Sequence, residues 1–256
     1  MTQKNNGTQV IHRACQILRC FNEQHAERSL AEIVRLTELR PPTAHRILQA
    51  LVNEGLVLQD VDTSWYRLGY SLIKMGDLAR KSNDLVQTAS RYLQDLASQW
   101  GEATVIDVPD QNLFMVSVLL IPSTYRLGST SSYDRPAWAH ATAAGKAILA
   151  YLPEQELAKF LANPLPSFTN STITDPKLLR KELDQVARQR YATNYEEQEL
   201  GLVAVGAPIF DHTRRAIAAL SIGGPSARMF ADHFPKIVES VIETADCISA
   251  DLGYDL

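Results

Sequence analysis

The sequence predicts an α+β protein in two parts: a helical N-terminal module that ends in a β-hairpin, and a C-terminal domain built on an antiparallel sheet. Apolar residues recur at helical spacing from Val10 to Val52, with capping residues and prolines between the runs. From Gly101 onward, β-branched and apolar runs flank turn-forming residues instead. Strands joined as hairpins, together with helices at both ends of a domain, are typical of the α+β class.

The N-terminal module consists of three predicted helices followed by two short strands. The helices are predicted at 10–21, 30–36 and 41–53, and the strands at 56–58 and 65–68. Ser29 and Glu32 have the spacing of a capping box, in which each side chain satisfies a backbone N–H at the start of the second helix. Gly55 suits the left-handed position that ends the third helix. This element order is that of a winged helix-turn-helix.

A further helix, from Tyr70 to about Ser82, leads out of this module. We place the domain boundary at its end, which gives domains 1–82 and 83–256. The second domain has predicted helices at 83–100, 141–152, 154–161, 176–189 and 229–251. Its predicted strands lie at 104–108, 113–121, 125–127, 203–210 and 216–223, and a polar loop is expected at 128–138.

The composition is that of a globular protein and excludes several classes. The 256 residues are 45% hydrophobic and 21% charged, which excludes disorder and a coiled-coil rod for the whole chain. No run of 18 apolar residues predicts a membrane span, and the polar N-terminus lacks the apolar core of a signal peptide. The three cysteines suit a reducing compartment, and we expect them to be buried. The sequence therefore predicts a cytoplasmic protein.

The charge is unevenly distributed along the chain. The net charge is −4, yet residues 1–80 carry ten basic and eight acidic side chains, against fifteen and twenty-one in the remainder. A polyanionic partner is therefore expected at the N-terminal end.

Signals for catalysis or metal binding are weak, so no catalytic residue, metal or cofactor is predicted. The chain contains no dinucleotide-binding, P-loop, nucleophile-elbow or zinc-protease motif. His140 is more simply a structural residue than a metal or effector ligand. An acidic cluster at 196–199 forms either a solvated face or the wall of a pocket. An enzyme with an accessory helical module remains the alternative function at this point.

The third helix carries the sharpest functional signal. Its polar face consists of Thr43, His45, Arg46 and Gln49. Arg46 could pair with guanine and Gln49 with adenine, because an α-helix fits the major groove of DNA. The helix start at Pro42 and Thr43 suits a phosphate, as does Arg67 on the predicted wing. A solvated helix face, or a wing that contacts only protein, is the competing interpretation.

The chain also resembles the IclR-type bacterial transcriptional regulators over about Val10 to Leu252. The similarity rests on several segments in the family's order and spacing. They are Ser29-Leu30-Ala31-Glu32-Ile33, Thr43-Ala44-His45-Arg46-Ile47-Leu48, Tyr66-Arg67-Leu68-Gly69, His140-Ala141-Thr142-Ala143-Ala144-Gly145-Lys146-Ala147, Gly201-Leu202-Val203-Ala204-Val205-Gly206-Ala207-Pro208 and Ala218-Ala219-Leu220-Ser221-Ile222-Gly223-Gly224-Pro225.

This resemblance implies a winged helix-turn-helix, a linker helix and a GAF-like effector domain. It also implies homodimers, or dimers of dimers, that bind double-stranded palindromic operators and respond to a small organic acid. The stripe Leu72, Met75 and Leu78 could pair two subunits or pack within one.

The implied effector pocket uses backbone amides at Ala143 and Ala144. The wall positions carried over from the family are Asn194, Leu202, Ala204, Ser221 and Gly223. Asn194, Ala204 and Gly223 replace an acid, a cysteine and a serine of the best-studied pocket, so we expect a larger carboxylate-bearing metabolite, such as a sugar acid or an aromatic acid.

Overall fold

The computed structural model describes residues 6–22, 24–81, 83–128, 137–229 and 233–255. The chain divides into two compact units, Met1–Ser82 and Asn83–Leu256. The boundary residue Ser82 and residues 129–136 of the expected loop lie outside the described residues.

The first unit is a three-helix module with a small antiparallel sheet. Its elements are α1 (Asn6–Leu18), β1 (Glu27–Arg28), α2 (Leu30–Thr37), α3 (Pro41–Asn53), β2 (Val57–Gln59), β3 (Tyr66–Leu68) and α4 (Tyr70–Lys81). The strand order is β1-β3-β2. Ile17, Ile33, Leu48 and Tyr66 meet in its core. Burial of this apolar surface holds α1, α2, α3 and the hairpin together.

Local capping sets the ends of the helices in this unit. Ser29 accepts a hydrogen bond from the Glu32 backbone N–H, and the Glu32 carboxylate accepts one from the Ser29 N–H in return. The predicted capping box is thus confirmed. Gly55 follows α3 with a φ of +68°, a backbone conformation that favours glycine because other residues carry a Cβ.

The second unit is built on a six-stranded antiparallel sheet in the order β6-β5-β4-β9-β8-β7. The strands are β4 (Ala103–Pro109), β5 (Phe114–Ile121), β6 (Ala137–Trp138), β7 (Ala192–Tyr195), β8 (Leu202–Phe210) and β9 (Ala216–Pro225). The helices are α5 (Asp84–Trp100), α6 (Ala143–Leu149), α7 (Glu154–Leu161), α8 (Pro176–Gln189), α9 (Ser226–Met229) and α10 (Phe234–Asp251). The predicted α+β class is confirmed.

Helices cover both faces of this sheet. On one face, α5 and α10 pack their apolar stripes against residues such as Val205 and Ile222. On the other face, α6 and α8 pack against Ala192 and Ala219. Alternate residues of each strand therefore belong to different cores, and the α6 face is the one that matters for the candidate site.

Several sequence-based boundaries are wrong. Residues 125–127 form bends rather than a strand, because Thr124 and Ser123 fold back onto the Gly101 carbonyl. The helix expected at 141–152 is limited to α6 and follows a separate 3-10 turn, Ala139–Ala141. The last long helix begins at Phe234 rather than near Met229. The short strands β1, β6 and β7 were not predicted at all.

The expectation of buried cysteines is also wrong. Cys15 and Cys247 are exposed, and Cys20 is half-buried. Burial raises the pKa of the Cys20 thiol, while nearby Arg28 opposes that shift. All three cysteines are free.

Candidate functional site

Helix α3 presents the polar face predicted to read DNA. Its buried side consists of Ala44, Ile47, Leu48 and Leu51. The opposite side carries the predicted contact residues: Pro42, His45 and Arg46 are exposed, and Thr43 and Gln49 are half-buried. The structure therefore brings the five α3 residues to one accessible helix surface.

The hairpin after α3 is joined to this surface by a glutamine pair that the sequence did not reveal. Gln49 Nε2 donates to Gln59 Oε1 at 3.4 Å, and Gln59 Nε2 donates to the Ser64 carbonyl at 3.2 Å. Asp60 Oδ1 accepts from the Asp62 and Thr63 backbone N–H groups and stiffens the hairpin tip. Because the Ser64 carbonyl can only accept, it fixes the orientation of both amides.

Arg67 lies on β3, where it is exposed. Its guanidinium forms an ion pair with Glu27 of β1 at 3.5 Å, with about half of each side chain accessible to solvent. An exposed pair of this kind contributes little to stability and leaves the guanidinium able to exchange partners. Arg67 is therefore free to contact a phosphate, although Glu27 partly neutralises it.

The predicted effector residues on the sheet share one face. Asn194 lies directly opposite Ala204, and Ala204 lies opposite Gly223. Ser221 is two residues from Gly223 along β9, and Leu202 is two residues from Ala204 along β8. Because opposite and alternate residues of an antiparallel sheet point the same way, all five belong to the face that α6 covers.

Ala143 and Ala144 complete this group at the start of α6. Thr142 caps the helix by accepting a hydrogen bond from the Gly145 N–H at 3.0 Å. A Cβ on Gly206 of β8 would lie 2.9 Å from Ala144 N, so the missing side chain lets the helix start sit directly on the sheet. Gly206 pairs with Ser221, which places the helix start beside the predicted wall.

A buried ion pair adjoins this wall and was missed as a site feature. Lys146 of α6 is 1% exposed, and its Nζ donates to Glu197 Oε1 at 2.6 Å and to Glu182 Oε1 at 3.3 Å. Glu197 is 4% exposed, so the solvated interpretation of the acidic cluster does not hold for this residue. Burial raises the pKa of Glu197, and Lys146 opposes that shift. The available signal was a lysine inside an apolar helix.

Glu197 also connects the ion pair to the predicted wall. Its backbone N–H donates to Asn194 Oδ1 at 2.8 Å. The side-chain oxygen of Asn194 is thus engaged within the protein. Its side-chain NH₂ is the group suited to donate to an acceptor on a ligand. The side chains of Thr169 and Thr172 hold the same segment by donating to the carbonyls of residues 196 and 197.

His140 is fully buried next to α6. Its Nε2 lies 2.9 Å from the Pro166 carbonyl oxygen, and its ring lies 6.0 Å from the rings of both Trp138 and Phe168. Burial lowers the pKa of His140, and the positive charge of Lys146 adds to that shift. Within the described ranges, no group of three or more His, Cys, Asp or Glu side chains is placed to hold a metal ion.

Comparison with known protein families decides the class. The profile described as "Bacterial transcriptional regulator IclR C-terminal" matches residues 78–250, and that of the IclR helix-turn-helix domain matches residues 10–61. The chain belongs to the IclR family. It is an IclR-type DNA-binding transcriptional regulator with an effector-binding C-terminal domain, a non-enzymatic class, so the enzyme alternative is set aside.

Individual IclR-family relatives match over nearly the full chain. HTH-type transcriptional regulator XynR of Escherichia coli K12 is 32% identical over 96% of this chain and 98% of its own length. HTH-type transcriptional repressor AllR of the same strain is 30% identical over 96% and 91%. An IclR homolog from Microbacterium hydrocarbonoxydans, solved in complex with 4-hydroxybenzoate, is 26% identical, covers 95% and 98%, and superposes with a TM-score of 0.81.

No helix within the described part of the chain has the length and apolar character needed to cross a membrane.

Proposed function

We propose that this IclR-family regulator binds a palindromic double-stranded DNA operator as a homodimer or a dimer of dimers, and that a small carboxylate-bearing metabolite controls this binding in the cytoplasm. Residues 1–82 read the DNA in this proposal, and residues 83–256 bind the effector. The observation that carries the effector assignment is the grouping of Asn194, Ala204, Ser221 and Gly223 on the one sheet face that α6 covers.

The chemistry of this face supports a carboxylate or carbonyl ligand. Asn194 has its oxygen engaged by the Glu197 N–H, which leaves its NH₂ to donate. Ser221 adds a hydroxyl on an otherwise apolar strand. Small residues at 204 and 223 provide room for a ligand larger than a two-carbon acid, and the Microbacterium relative was solved with 4-hydroxybenzoate, an aromatic acid.

We expect Asn194→Ala and Ser221→Ala each to weaken the binding of an organic-acid effector by roughly 10- to 150-fold, because each removes one hydrogen bond to a charged group. A thermal-shift screen of sugar acids and aromatic acids identifies the hits, and calorimetry measures their affinities. Thr193→Ala is the matched control, since Thr193 lies on the same strand but on the opposite face. Unchanged affinity of every hit in both variants would place the site elsewhere.

In this proposal, Arg46 of α3 and Arg67 of β3 contribute to DNA binding in different ways. Arg46→Ala should weaken specific binding by roughly 1–3 kcal/mol and relax the preference at one base pair of each half-site. Arg67→Ala should weaken all sequences about equally and reduce the salt slope by about one. Gel-shift titrations on operator and scrambled DNA at several salt concentrations measure both.

The half-exposed Arg180 of the second unit provides the control for this experiment, because it lies on α8, outside the module proposed to read DNA. Arg180→Ala should leave DNA binding unchanged. An Arg46→Ala protein with full sequence discrimination would contradict the base-reading role.

The exposed apolar stripe of helix α4 predicts that the chain associates with a second copy of itself. Leu72 is half-buried, whereas Met75 and Leu78 are 57% and 69% exposed, as is the neighbouring Ile73 at 64%. An apolar stripe left on the surface is a candidate interface, and palindromic operators require two modules. Light scattering at micromolar concentration should return at least twice the 28.5 kDa of one chain.

The double variant Met75→Glu with Leu78→Glu should lower this mass or weaken operator binding. Lys74→Glu, on the same helix, is the control for added negative charge. A wild-type protein that remains at 28.5 kDa would contradict the assembly.

A further inference from the structure

His140, Lys146 and Glu197 form a buried polar cluster beside the proposed effector wall. His140 precedes α6, Lys146 lies one turn inside that helix, and Glu197 donates its N–H to Asn194. None of the three was among the residues carried over from the family. The cluster therefore adds three polar side chains to the proposed site, each able to interact with a ligand.

His140 contributes a hydrogen-bond acceptor. A carbonyl oxygen can only accept, so the 2.9 Å contact with Pro166 O requires the proton to be on Nε2. Burial lowers the His140 pKa and so favours the neutral ring, in which the lone pair lies on Nδ1. This Nδ1 is buried and has no hydrogen-bond partner among the residues that the structure describes.

Glu197 contributes a second acceptor. Its Oε1 receives the Lys146 ammonium at 2.6 Å, but its Oε2 is buried without a partner in the described ranges. A buried acceptor without a donor lowers stability, so each of these two atoms calls for an explanation. Both acceptors call for the same complement, a hydrogen-bond donor.

The charge of the cluster determines which donor fits. One ammonium, that of Lys146, faces two carboxylates, those of Glu197 and Glu182. The excess negative charge disfavours a ligand carboxylate here and accommodates a neutral hydroxyl. The ligand's own carboxylate is better placed near Asn194 and Ser221, where groups able to donate are available.

We propose that the effector is a hydroxy acid whose hydroxyl groups donate to His140 Nδ1 and Glu197 Oε2, while its carboxylate lies toward Asn194 and Ser221. This inference rests on the proposed effector site and makes it more specific. His140 becomes a specificity-determining residue that distinguishes a hydroxylated acid from its deoxy or O-methylated analogue. The flanking rings of Trp138 and Phe168 keep the imidazole in a fixed orientation.

Calorimetry on the full chain with matched probes tests this inference. The aromatic set is 4-hydroxybenzoate, 4-methoxybenzoate and benzoate, and the aliphatic pair is gluconate and hexanoate. In at least one set, the hydroxylated acid should bind about tenfold more tightly than the analogue without a donor, which is what one well-formed hydrogen bond provides.

Two substitutions of His140 separate ligand recognition from folding. His140→Gln keeps an N–H that can reach Pro166 O but removes the Nδ1 acceptor, so it should abolish the preference for the hydroxyl and leave the deoxy acid within about twofold of wild type. His140→Asn places an oxygen near the Nδ1 position and should retain part of the preference. A purely structural role would weaken all acids equally in both variants.

Acids that bind with no preference for the hydroxylated member, in wild type as in His140→Gln, would overturn the hydroxy-acid inference and leave the proposed carboxylate effector standing. Binding by none of the acids would instead contradict the proposed effector class, and the inference with it.

Discussion

Replacing Lys146 with methionine is expected to lower the free energy of unfolding by about 3–5 kcal/mol. The substitution preserves the length of the side chain but removes the ammonium that pairs with Glu197 at 2.6 Å. It leaves the Glu197 carboxylate buried without a counter-ion, and breaking a buried pair from one side is far more costly than losing an exposed pair. Urea denaturation of the full chain, followed by circular dichroism, measures the effect.

Lys159→Met provides the matched control, because Lys159 lies exposed on α7. This variant should stay within about 0.5 kcal/mol of wild type. Adding Glu197→Gln to Lys146→Met should recover part of the loss, since it removes the stranded charge. A loss below about 1 kcal/mol in Lys146→Met alone would show that the Glu197 carboxylate becomes protonated or hydrated in the variant.

Asp107 is expected to make stability depend on pH in the opposite sense to an ordinary carboxylate. Burial on β4 raises its pKa from 3.8 to about 6, and a hydrogen bond from Ser117 Oγ only partly opposes this shift. Because the folded pKa lies above the unfolded one, protonation stabilises the fold. This contribution is fully present below about pH 4, is lost as the pH rises through 6, and amounts to about 3 kcal/mol.

The comparison of wild type with Asp107→Asn isolates this contribution, because asparagine does not titrate. The stability of Asp107→Asn relative to wild type should rise by about 2 kcal/mol from pH 4.5 to pH 7.5. The remainder of the contribution of about 3 kcal/mol is lost below pH 4.5, outside this range. Asp95→Asn, at an exposed position on α5, is the control for replacing an aspartate with asparagine. A constant difference between wild type and Asp107→Asn would mean that Asp107 titrates as it does in the unfolded chain.

Sequence reasoning performed well where structure is local. The capping box of Ser29 and Glu32 depends on two residues only three positions apart, so it is visible in the sequence. The two-residue strands β1 and β6 exist only because β3 and β5 supply their hydrogen bonds. No pattern of two residues can indicate such a partner.

The candidate site shows the same difference between features that depend on near neighbours and features that depend on tertiary structure. The wall residues came from family resemblance, and only the sheet register shows that Asn194, Ala204 and Gly223 share a face. Lys146 could not be assigned a partner because Glu197 lies 51 residues further along the chain. The lysine in an apolar helix was a visible anomaly, but its explanation depends on tertiary structure.

The bond between Gln49 and Gln59 has a consequence for efforts to retarget this regulator to a new operator. Gln49, which is proposed to face the bases, and Gln59, which orients it, lie on different elements, α3 and β2, ten positions apart. A library that varies position 49 alone would retain Gln59, whose amide is already oriented by Ser64 and so selects for side chains able to donate to it. Position 59 therefore has to be randomised together with position 49, and the two should evolve as one unit.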